Sequence, residues 1–97
     1  MTWTLQKLRE RKADIENIAR QHRVISLMVI GSVARGDAAE GSDVDFVAKF
    51  EDGSSLMDLG ELIMDLEDSL SCHVDVISEK ALDSRSFQRT MAEAVSL

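Results

Sequence analysis

A seven-residue apolar run, Val24-Ile25-Ser26-Leu27-Met28-Val29-Ile30, stops at Gly31-Ser32, and ten residues later Asp43-Val44-Asp45 opens an alternating stretch that continues to Phe50. Few architectures accept that order. The first run has the composition of a strand buried on both faces. In residues 43–50 the two-residue period of a strand puts Asp43 and Asp45 on one face and Val44, Phe46 and Ala48 on the other. Gly31 and Ser32 therefore end one strand while Asp43 and Asp45 begin the next, and a common site requires the two strands to run antiparallel.

The flanking sequence supplies the cover. Leu5, Leu8, Ile15, Ile18 and Ala19 recur at helical spacing, with Arg9, Glu10, Arg11, Lys12, Asp14 and Glu16 on the other face, which predicts one amphipathic first helix. Gly53-Ser54-Ser55 offers a turn and a cap, and Leu56, Leu59, Ile63, Leu66 and Leu70 form the apolar stripe of a second helix. Residues 72–78 predict a third strand with Cys72, Val74 and Val76 inward and His73, Asp75 and Ile77 outward. Because a helix separates it from the second strand, the third runs parallel to that strand through a right-handed crossover. Leu82, Phe87, Met91 and Val95 place a last helix over Ser84–Glu93. The expected fold is α/β (α+β): a small mixed three-stranded sheet with helices packed mainly on one face, in a single domain over residues 1–97.

Composition narrows the partners. Eleven basic residues against eighteen acidic give a net charge of −7, which repels a nucleic-acid backbone and ranks a protein or small-molecule acceptor above DNA or RNA. No apolar run approaches the ~20 residues that span a bilayer, and the first residues lack the apolar core of a secretion signal, so no membrane association and a cytoplasmic location are expected. Cys72 is the only cysteine, which excludes an internal disulfide, and with only His22 and His73 beside it a structural zinc site is not expected.

The stretch from Gly31 to Asp45 has the parts of a phosphate and metal cradle. Gly31 lets backbone amides approach a phosphate with no Cβ in the way, and Ser32 can cap the short helix that follows and donate its hydroxyl. Arg35, one turn further along, can meet phosphate charge. Two carboxylates on one face of a strand repel each other unless a cation or proton compensates, so Asp43 and Asp45 point to a hard cation such as Mg²⁺. Asp75, on the neighbouring strand, adds a third carboxylate that can hold one of two metals and take a proton from an attacking hydroxyl. A P-loop reading fails, since Asp37 and Ala38 stand where Lys and Ser or Thr are needed. His73 shares the face of Asp75 but reads as a surface histidine.

Gly-Ser, ten residues, Asp-x-Asp and an acidic residue on a later strand resemble the signature of the DNA-polymerase-β-like nucleotidyltransferases. The run from Gly31 through Asp45, the short chain and the lack of a second domain resemble more closely the minimal nucleotidyltransferases (MNT), often the antitoxin partners of HEPN toxins. The resemblance implies the polymerase-β-like nucleotidyltransferase fold, with Gly31 and Ser32 as triphosphate contacts and Arg35 and Ser42 at common positions of the nucleotide site. It implies Asp43 and Asp45 as metal ligands, Asp75 as third ligand and general base, two Mg²⁺ ions, and ATP as substrate. The reaction it implies is transfer of AMP to a tyrosine hydroxyl of a HEPN toxin, which serves as acceptor and potential partner in a hetero-oligomer. This chain has no tyrosine, so such an acceptor lies on another protein. Two other readings compete: a binding module that silences the toxin by occlusion, and transfer to a small molecule such as an aminoglycoside, against which the missing substrate domain argues.

Overall fold

In the computed structural model, which describes residues 1–97, the alternation of β2 (Val44–Phe50) organises the molecule. Val44, Phe46 and Ala48 are fully buried on one face of the sheet, where they join Val29 of β1 (Val24–Ile30) and Val74 and Val76 of β3 (Val74–Ser78). The strand order is β1-β2-β3, with β1 antiparallel and β3 parallel to β2, as expected for a mixed three-stranded sheet. Helices α1 (Leu5–Glu10), α2 (Lys12–Gln21) and α4 (Leu56–Leu70) close over that face with Leu8, Ile15, Ala19, Leu62, Leu66 and Leu70. Truncating one of these buried leucines to alanine costs about 2–5 kcal/mol. The side chain of Asp58 accepts from the Ser55 N–H at 2.8 Å, which stabilises the start of α4. A five-residue helix, α3 (Gly31–Arg35), follows β1 directly, and α5 (Ser84–Glu93) follows β3 after a 3₁₀ turn at Glu79–Ala81. No helix is long and apolar enough to cross a membrane.

Three local expectations are corrected. The first helix is two, broken at Arg11, whose guanidinium reaches across to the carbonyl and hydroxyl of Ser69 at 3.0 and 2.8 Å. Those acceptors lie in the last turn of α4, where unpaired carbonyls attract a cation. The first strand is not buried on both faces: it is a sheet edge, and Ile25 is 61% exposed. Its outer edge is met only by the single bridge from Val95 to Val29. β2 and β3 begin at Val44 and Val74, so Asp43 and Cys72 stand just ahead of their strands. Trp3, assigned to no element in the sequence, joins the core at 8% exposure.

Candidate active site

The face of the sheet away from α1, α2 and α4 carries the carboxylates. In the parallel ladder Asp45 is the direct partner of Asp75, which puts two acidic side chains side by side on strands about 4.8 Å apart. Asp43 precedes Asp45 by two residues in the chain and is exposed, as is Asp75, while Asp45 is half-buried. The carboxyl of Asp45 is held above its ordinary pKa by burial first, then by the charges of Asp75 and Asp43, with Arg35 pulling the other way. Asp75, Asp43 and Arg35 thus all bear on Asp45. The chain by itself does not gather three such side chains closely enough to hold a metal ion. The donors are hard oxygens on one face, partly desolvated and mutually repelling, a set that suits Mg²⁺ and disfavours softer metals.

Gly31 forms the floor. It has φ +76°, and a Cβ built on it would lie 2.5 Å from Oδ2 of Asp45. No L side chain fits there without moving the carboxylate. Ser32 is not the cap of α3; the N-cap is Ile30, which has no hydrogen-bonding side chain, and Ser32 is the second residue of the helix. The helix ends at Gly36 in the left-handed conformation with φ +81°, the usual stop for a short helix.

Arg35 and Ser42 have partners within the chain. Arg35 Nε lies 3.3 Å from Asp37 and its Nη1 3.5 Å from Glu93. Those neighbours, Asp37 before Glu93, hold the guanidinium above its ordinary pKa. Ser42 Oγ accepts from the Ala39 N–H at 2.9 Å, closing the loop that delivers Asp43. His73 is exposed and lies 3.1 Å from Glu67, in keeping with a surface histidine. Burial pushes the Cys72 thiol upward, away from nucleophilic use.

The sequence reading missed Glu93. Its Oε1 accepts from the Gly31 N–H at 3.3 Å, and its Oε2 faces Arg35. Sixty-two residues separate Glu93 from Gly31, and nothing local in α5 signals the contact.

Comparison with known proteins is consistent with this geometry. A family model described as a nucleotidyltransferase domain matches residues 7–95. The chain is 34% identical over 90 residues to a candidate protein adenylyltransferase of Methanocaldococcus jannaschii, covering 93% of this chain and 97% of that one. A solved structure of a candidate minimal nucleotidyltransferase superposes with a TM-score of 0.87 at 37% identity, covering 98% and 97% of the two chains. A complex of a tri-AMPylated Shewanella oneidensis HEPN toxin with its MNT antitoxin shares the fold at a TM-score of 0.69 and 16% identity, covering 91% of this chain and 69% of that one.

Proposed function

This chain belongs to the nucleotidyltransferase domain family, in its minimal, polymerase-β-like form, and on that premise we propose that it transfers AMP from ATP to a tyrosine hydroxyl of a HEPN-type toxin. The observation that carries the reading is the pairing of Asp45 with Asp75 on adjacent strands, with Asp45 packed against Gly31 and Asp43 two residues before it. The adenylyltransferase name of the M. jannaschii relative and the AMPylated toxin of the S. oneidensis complex support the nucleotide and the acceptor. A chain without tyrosine needs that acceptor from outside.

In this reading Asp43, Asp45 and Asp75 would hold two Mg²⁺ ions, and Gly31 and Ser32 would receive the triphosphate. Ions bound there would neutralise triphosphate charge and stabilise the attacking and leaving oxygens. Arg35 offers positive charge to a phosphate, and Ser42 holds the loop that aims Asp43. Asp75, exposed at the edge strand, accepts the proton of the incoming hydroxyl. The acceptor oxygen bonds to the α-phosphorus as the bond to the β-phosphate oxygen breaks, and pyrophosphate leaves. Positioning and charge, rather than covalent work by the protein, supply the catalysis.

Parallel incubations of a HEPN toxin with this protein, Mg²⁺ and ATP labelled at either the α- or the γ-phosphate test the reaction class. Label from the α position alone should appear on the toxin. Label from the γ position would mean phosphorylation, and no label from either would count against catalysis.

A further inference from the structure

Two of the groups assigned to the triphosphate are already engaged by one carboxylate. Glu93 closes α5 and spans the amide of Gly31 and the guanidinium of Arg35, one oxygen to each, at 3.3 and 3.5 Å. Both distances lie at or beyond the long end of hydrogen-bond lengths, so each contact is readily exchanged. A phosphate oxygen has the same acceptor character as a carboxylate oxygen and seeks the same pair of donors.

The setting favours exchange. No residue of α5 is buried, so little packing holds the helix in place. Two residues past Glu93, Val95 is fixed to Val29 by a reciprocal pair of backbone hydrogen bonds at 2.8 and 2.9 Å. A carboxylate on a helix without buried residues, tethered that close to its target, keeps a high effective concentration at the site.

We propose that Glu93 is an internal competitor for the triphosphate, and so the residue that sets how tightly this site takes its nucleotide. The inference rests on the nucleotidyl-transfer reading. Nucleotide binding displaces the carboxylate from Gly31 and Arg35 and loosens α5, while the Val29–Val95 bridge holds the tail in register. Apparent affinity is then the intrinsic affinity reduced by the fraction of molecules in which Glu93 has already left.

The test titrates AMP-PNP with Mg²⁺ into wild type and Glu93→Gln, a near-isosteric change at an exposed position, and follows hydrogen exchange over residues 84–93. Removing the competing charge should tighten binding by about three- to tenfold at low salt, with a smaller gain at high salt. Nucleotide should speed exchange in wild-type α5, and the variant should show that faster exchange before nucleotide is added. Equal or weaker binding by the variant, or α5 exchange indifferent to nucleotide, overturns the competitor role and leaves the nucleotidyl-transfer reading standing. Absence of nucleotide binding by both proteins overturns the two together.

Discussion

Oδ2 of Asp45 lies 2.5 Å from where a Cβ on Gly31 would sit, so the end of the first strand and the carboxylate of the second share a gap that only glycine leaves open. That one contact joins the proposed phosphate floor to a proposed metal ligand. It makes Gly31 a structural and a chemical requirement at once.

Gly31→Ala should therefore act twice. The new methyl must displace Asp45, and alanine must adopt a φ of +76°, which costs about 1–2 kcal/mol before any clash. Thermal unfolding should show a midpoint lower by several degrees, and nucleotide transfer should be lost beyond what that destabilisation explains. A variant as stable as wild type would contradict the close packing.

Asp45→Asn should stabilise the protein in the absence of ligand. The folded pKa of Asp45 is raised, chiefly by burial and then by Asp75 and Asp43. Ionising it at neutral pH therefore weakens the fold. A raised carboxyl pKa contributes stability that is fully present below the unfolded value of 3.8 and is lost as pH climbs through the folded value. The variant should melt higher than wild type at pH 7, by up to about 1 kcal/mol given the partial exposure, and the advantage should vanish toward pH 3. Melting curves across that range check the sign; an advantage that grew in acid would contradict it.

Mg²⁺ with ATP should reverse the ranking. Ligand that binds only the folded state adds about 2.7 kcal/mol at a hundredfold excess over Kd. Wild type should gain several degrees and Asp45→Asn little. An unchanged wild-type midpoint with saturating Mg²⁺ and ATP would remove the proposed site.

Arg11→Ala tests the break between the first two helices. Losing two hydrogen bonds to Ser69 should cost about 1–2 kcal/mol by denaturant unfolding, without changing nucleotide affinity. A coupled loss of affinity would show that α4 reaches the site.

What could be read from the sequence was whatever short-range periodicity encodes. The alternation of residues 44–48 placed Phe46 in the core and Asp45 opposite it, and the leucine spacing of α4 placed Leu66 and Leu70 against the sheet, but that spacing passed over the buried Leu62 and counted Leu56, which is 85% exposed. The placing of Asp45 and Asp75 on the face away from the core followed from the same period, whereas Asp43 lies just ahead of its strand. What escaped depends on partners distant in the chain: Arg11 leaves its helix for Ser69, 58 residues away, and Glu93 finds Gly31 across 62. The exposure of Ile25 escaped for a different reason. An apolar run does not show where a register slips, and Ile25 is exposed at the irregularity between Val24 and Ser26, where it has no cross-strand partner.

Intact-mass spectrometry of the toxin measures directly whether this chain modifies it covalently through its carboxylates. With Mg²⁺, ATP and catalytic amounts of the protein, the toxin should gain one or more increments of about 329 Da, the mass of an added AMP. It should then stay inactive after the protein is removed. Asp43→Asn/Asp45→Asn should give no increment and no lasting protection. A toxin of unchanged mass that is silenced only by stoichiometric amounts, recovers on separation and is silenced equally well by the double variant would contradict catalysis and leave a binding module in its place.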